Sequence, residues 1–190
     1  MRHTGNRHGR SEAARQAVLE AADDLLTERG FAGVTIEGIA TRAGVAKQTI
    51  YRWWPSKVDI LLEAFADDME EHLFPPDHGN VGDDLRAHLH RLALFLTESD
   101  PGEVFRALAG QAQHDPVLAA RLRADYLSRL REHDRVPLQG AVERGELPAD
   151  LDIDLAVDQL VGPIYYRVLV TGDPVPREFT DHLVARFLHD

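Results

Sequence analysis

Between Thr35 and Lys57 the chain reads TIEGIATRAGVAKQTIYRWWPSK, and this spacing limits the possible folds more than any other part of the sequence. Ile36, Ile39, Ala40 and Ala43 recur three or four residues apart, which lays one apolar face along a short helix. Gly44 follows, the residue best able to take positive φ where two helices turn sharply against each other. Val45 and Ile50 then give a second helix its inward face, and Lys47, Gln48, Tyr51 and Arg52 are left pointing mostly outward. Ala40, four residues before Gly44, is small enough to let the second helix approach closely. The pattern predicts a helix-turn-helix whose second helix is exposed, basic and aromatic.

The net charge of −11 looks wrong for a partner of nucleic acid until it is divided along the chain. Residues 1–57 hold nine Lys or Arg against six Asp or Glu, and residues 58–190 hold twelve against twenty-six. A head of +3 therefore sits on a body of −14, an asymmetry that would orient approach to a polyanion. A chain of 190 residues without cysteine suits one or two compact units and excludes a disulfide framework or a Cys-based zinc site. The first ten residues are polar and basic with no apolar core behind them, so no secretory leader is expected. No apolar run approaches the roughly 20 residues that span a bilayer. A cytoplasmic protein with no membrane partner and no cofactor is the expectation.

Helix signals continue through the rest of the chain. Ser11 can cap a first helix to about Arg29, with Gly30 as its left-handed end, and Thr35 can cap the second. Ser56 and Asp59 have the spacing of a capping box at the start of a fourth helix. Pro75, Pro76 and Gly79 mark the clearest break. Beyond it lie helical patterns at about 83–98, 103–114, from Pro116 onward, 153–171, and from Pro176 to the end. Asp134 to Pro137 is expected to interrupt the one that begins at Pro116. No segment alternates with period two, so the chain reads as all-α, with about nine helices. The expected division is a helix-turn-helix head over 1–57 with a basic N-terminal arm (Arg2, Arg7, Arg10), and a helical body over 58–190.

Arg15 to Leu61 resembles the DNA-binding region of the TetR (tetracycline-repressor-like) family of bacterial transcriptional regulators. The resemblance runs through AVLEAADDLLTERGF, VTIEGIATRAGV and QTIYRWWPSK. It departs from the commonest family pattern at Ala46, where Ser is frequent, and at Trp53 and Trp54. The physical task of such a head is to fix one helix in the major groove and let a few side chains reach base edges. Lys47 and Gln48, near the start of the third helix, are the candidate base readers, since Lys can donate to guanine and Gln can pair bidentately with adenine. Thr49 can touch a thymine methyl or a phosphate. Tyr51 and Lys57 match the family's phosphate-contacting tyrosine and lysine, and Thr35 is a phosphate candidate at a helix start. Arg52 can meet phosphate or base, and Trp53 can lie against the sugar-phosphate backbone. Trp54 is expected in the core.

The resemblance implies a ligand-responsive regulator, most simply a repressor that binds a palindromic operator in double-stranded DNA as a homodimer and is released by a small molecule. It also implies that the last two helices dimerise. Independently, Leu160, Val161, Ile164, Val168 and Leu169, with Phe179, Leu183 and Phe187, supply two late apolar faces suited to an isologous four-helix contact. Phe95, Phe105, Leu108, Gln111, Tyr126, Tyr165 and Tyr166 are the candidate ligand contacts, mainly apolar with a few polar handles. The alternatives are an activator of the same fold or a small helical enzyme. Against an enzyme, Ser11, Ser56, Ser99 and Ser128 lie in no nucleophile-elbow motif, and no glycine-rich phosphate loop is present. His88 and His90, two apart on a helix, face different ways and make a poor metal pair.

Overall fold

A computed structural model describes the backbone of residues 7–72 and 77–189, and the side chains of these residues except 7–11, 66–72 and 125. Among the described residues the fold is all-helical. In order it comprises α1 (Arg7–Gly33), α2 (Ile36–Ala43), α3 (Lys47–Trp53), α4 (Lys57–His72), α5 (Val81–Glu98), α6 (Asp100–Ala112), α7 (Pro116–Arg121), α8 (Ser128–Glu143), α9 (Ile153–Tyr166) and α10 (Arg177–His189). A π-helical turn, Leu122–Leu127, joins α7 to α8 without a break, and a second, Arg167–Thr171, extends α9. The described chain thus forms nine helical bodies, the first of them kinked at Gly30. The arm residue Arg2 and the turn at Pro75 and Pro76 lie outside the described residues, as do the side chains of Arg7, Arg10 and Ser11.

Caps set the helix boundaries where the sequence offers them. Thr35 has extended backbone and accepts the Gly38 N–H at 3.0 Å. Asp152 does the same for Leu155 at 3.0 Å, and Asp115 accepts from both Val117 and Leu118. Two expectations change. The first helix begins at Arg7, so Ser11 lies inside it rather than at its N-cap. Gly30 does end its long regular stretch with positive φ (φ 65, ψ 172), a further turn to Gly33 following across the kink. The expected interruption at Asp134–Pro137 is absent: α8 runs through a buried Pro137 to Glu143. The irregularity falls upstream instead, in the π-helical turn. A proline removes one ladder donor and crowds the preceding turn, and here the surrounding core holds the helix together despite it.

One core links head and body. Val18, Ala22, Leu25 and Leu26 of α1 meet Ile39, Ile50 and Trp54, while Ile60, Leu61 and Phe65 carry the same cluster to Phe95, Leu96 and Phe105. Helix α6 packs on both α1 and α4, and α5 packs on α6, α8 and α10. The α5–α6 corner is tight because Gly102 has no side chain: a Cβ there would lie 1.9 Å from the Phe95 carbonyl oxygen. The segment Arg144-Gly145-Glu146 turns out to be a clasp. Arg144 reaches the buried Asp84 carboxylate at 3.0 Å, and Glu146 accepts the Val81 N–H at 2.5 Å, so the end of α8 secures the start of α5.

Candidate nucleic-acid interface

The second helix of the motif is held from behind and open in front. Gly44 closes α2 in the left-handed region (φ 66, ψ 29), its N–H returning to the Ala40 carbonyl. The chain re-enters a helix three residues later, at Lys47, and Ala46 supplies no side-chain cap to α3. Ile50 is fully buried, and Trp54, 2% exposed, anchors the C-terminal end. The Trp54 indole N–H donates to Glu63 at 2.6 Å, and Arg15 of α1 grips the same carboxylate at 2.5 Å. Three elements, α1, the end of α3 and α4, are therefore pinned at one carboxylate. Trp53 stands edge-on to Trp54 with ring centroids 5.4 Å apart, and the Arg52 guanidinium lies 5.1 Å from the Trp53 ring. The double tryptophan thus divides into a core anchor and a half-buried platform under an arginine.

With that rear support, Lys47, Gln48 and Arg52 are exposed, Tyr51 is 54% exposed, and Thr49 is half-buried. Thr35 is exposed at the start of α2 with its hydroxyl already used as a cap. Lys47 is not a free cation: its ammonium lies 2.5 Å from Glu37 of α2. The hydrogen bond from Lys47 holds the Glu37 carboxyl below its ordinary pKa. Sequence reading passed over Glu37, whose only signal was an acid on the outer face of a helix beside a reading residue.

Lys57 has a second occupation as well. Its ammonium donates to the carbonyls of Phe31 and Val34 at 2.6 and 2.9 Å and sits 4.2 Å from the centre of the Phe31 ring. Burial pushes its pKa down. The lysine ties α4 to the α1–α2 connection, and one of its three donors remains for a phosphate. Two residues on, Asp59 accepts from Ser56 at 2.6 Å and pairs with Arg121 at the end of α7, also at 2.6 Å. Burial works to raise the Asp59 pKa, but Ser56 and Arg121 together outweigh it and hold the carboxyl below its ordinary value.

The body contains a cavity of about 720 Å³ among α6, the α7–α8 helix and α9, open to solvent on one side. Phe105 and Tyr165 of the sequence candidates line it, with their ring centroids 5.9 Å apart. Phe95 and Tyr126 instead pack around Phe65, Leu108 is buried in the core, and Tyr166 faces outward, 58% exposed. Gln111 is not among the lining residues, whereas Gln113 is. Asp134 also lines the cavity, buried and 2.8 Å from the buried His88. Burial, with the Asp134 charge added to it, drives the Tyr165 phenol far above its ordinary pKa, so the group stays a neutral donor. Both π-helical turns border the same space, through Leu122, Arg123 and Leu127 on one side and Leu169 on the other. Among the described residues there is no cluster of three metal-ligating side chains and no helix long and apolar enough to cross a membrane.

Residues 18–64 match the profile of bacterial regulatory proteins of the tetR family, and residues 75–187 match the tetracyclin repressor-like C-terminal domain. The uncharacterized HTH-type transcriptional regulator YdeS of Bacillus subtilis is 39% identical over 175 residues, which cover 92% of this chain and 88% of that protein. The DNA-binding transcriptional repressor TetR of Mycobacteroides abscessus is 28% identical over 178 residues, 92% of each chain. Among solved structures, the TetR family transcription regulator SCO0332 superposes with a TM-score of 0.78 at 36% identity, covering 93% of this chain and 97% of that one. These relatives are regulators, not enzymes, and their likeness extends over head and body alike. The chain belongs to the TetR family of HTH-type transcriptional regulators.

Proposed function

We propose that the protein is a cytoplasmic repressor that binds a palindromic operator as a homodimer and releases it when a small molecule enters the body. The observation that carries the reading is the arrangement on α3. Ile50 and Trp54 lock the helix from behind, while Lys47, Gln48, Tyr51 and Arg52 are exposed on its outer face, Lys47 paired with Glu37. Lys47 and Gln48 read base edges, with Thr49 at a methyl or phosphate. Tyr51, Arg52, Trp53, Lys57 and Thr35 fix the head on the backbone, contacts that position without specifying sequence. The head takes residues 1–57 and the effector and dimerisation body residues 58–190.

A single seven-residue reading helix makes few contacts, and pairing two heads about 34 Å apart on one face of the duplex supplies the rest. Exposed Leu155, Tyr166, Leu169 and Val170 leave apolar surface along α9 and its extension. Phe179, Leu183 and Phe187 of α10 are only partly covered within the subunit. Those two helices are the proposed isologous contact. The 720 Å³ cavity falls within the range of small-molecule sites. A ligand there releases DNA only by favouring a conformation whose heads mismatch successive grooves.

A footprint of the purified protein on the intergenic DNA upstream of its own gene tests the reading. The expected result is a protected inverted repeat with half-sites one helical turn apart. Absence of protection there at low salt, and of any preferred sequence among random duplexes, would reject it.

A further inference from the structure

An acid on a surface that must approach phosphates opposes binding unless it finds a donor there. Glu37 is such an acid: it is exposed on the outer face of α2 and hydrogen-bonded to Lys47 at 2.5 Å. Stability does not account for its position, because an exposed ion pair contributes only about 0–1 kcal/mol. In the major groove the donors on offer are the exocyclic amines of cytosine and adenine, and the carboxylate side chains are suited to cytosine N4.

We infer that Glu37 is a specificity-determining residue and that the Glu37–Lys47 pair reads one G·C base pair in each half-site, lysine on guanine and glutamate on cytosine. The inference rests on the DNA-reading function proposed above. Within a G·C pair the guanine O6 and cytosine N4 are hydrogen-bonded to each other, hence roughly 3 Å apart. A carboxylate and an ammonium already at hydrogen-bond distance present the complementary acceptor and donor to that edge, side by side. The A·T edge also sets an acceptor beside a donor. There the lysine has only thymine O4, crowded by the adjacent methyl group, where guanine offers it both O6 and N7. The pair therefore need not separate to bind DNA. Glu37 holds Lys47 in place before the encounter and takes the cytosine amine when the head docks.

The test is selection of binding sites from randomised duplexes with the full-length wild type, Glu37→Gln and Glu37→Ala, followed by affinity measurements on single-base variants. The wild type is expected to enrich one G·C column per half-site, and changing that pair to A·T to weaken it about tenfold or more. Glu37→Ala should flatten that column to within about threefold and leave the others intact. Glu37→Gln should turn it toward A·T, since glutamine pairs with adenine. Unchanged helical circular dichroism and melting temperature would show that both variants fold. If both variants instead bind every duplex more tightly by the same factor, Glu37 only repels phosphate and the inference falls. It falls equally if the column is unchanged. A wild type that enriches no sequence would overturn the DNA-reading function itself, and this inference with it.

Discussion

Lys57 shows how one side chain can serve fold and function together. Its sequence position suggested a phosphate anchor, and its surroundings show it spending two donors on the Phe31 and Val34 carbonyls. Those carbonyls lie at the α1–α2 connection, so removing the ammonium leaves two acceptors without their partner. Lys57→Ala is therefore expected to cost about 1–3 kcal/mol of stability, read by urea denaturation. It is also expected to weaken binding to operator and random duplex alike, with the salt slope falling by roughly one. A loss of stability with an unchanged salt slope would leave the lysine as a tie within the head and no more. Gln48→Ala should behave in the opposite way, preserving stability and salt slope while relaxing preference at one base position. Equal losses on cognate and random DNA would remove its reading role.

At the scale of the element, the α5–α6 corner decides how the body grips the head, because α6 packs on both α1 and α4. Gly102 allows the first turn of α6 to touch the Phe95 carbonyl. Gly102→Ala is expected to destabilise by about 1–3 kcal/mol through overpacking. Gly110→Ala, in the same helix with nothing within 4 Å of the added carbon, should be neutral or gain up to about 1 kcal/mol of helix propensity. Thermal melts of the two variants, side by side, check the contrast. Elements of this kind divide by how local their cause is. Thr35, Gly44, Asp152 and the Ser56–Asp59 cap act on neighbours a few residues away, so their spacing was readable in the chain. The continuity of α8 through Pro137 and the two π-helical turns depend on packing from other helices, which no window of sequence contains. The same holds for the candidate site: the outward set on α3 followed from helical period, whereas the partners of Lys47, Lys57 and Trp54 lie 10, 26 and 9 residues away. The cavity was harder still. Aromatic content singled out Phe105 and Tyr165, but also Phe95 and Tyr126, which differ only in the direction the fold turns them.

For the whole molecule the question is how an occupied cavity would reach the DNA-binding head. A polar connection runs from Arg121, the last residue of α7, to Asp59 in the first turn of α4. Immediately after Arg121 comes the π-helical turn whose Leu122, Arg123 and Leu127 border the cavity. Such single-turn π-helical irregularities inside helices are frequent at functional sites, and this one directly follows Arg121. Asp59 lies two residues from Lys57, and Lys57 holds the α1–α2 connection. The Asp59–Arg121 pair thus joins the end of α7 to the turn of α4 that carries Lys57. The depressed Asp59 pKa fixes the pH signature. Because the folded-state value lies below the unfolded one, the stabilisation is complete above the ordinary aspartate pKa and disappears as pH falls through the folded value. Asp59→Asn is accordingly expected to be less stable than wild type at neutral pH by about 1–2 kcal/mol, a figure reduced for the partial exposure of Arg121. The difference should persist down to the ordinary aspartate range and close only below it. Urea melts of both proteins across a pH series give the measurement, and a gap that is constant at every pH would mean the carboxylate's charge contributes nothing. Arg121→Ala should match Asp59→Asn in stability at neutral pH. In the double variant the two losses should add to well less than their sum, as for residues sharing one interaction. Full additivity would show that Asp59 and Arg121 do not stabilise the fold through each other.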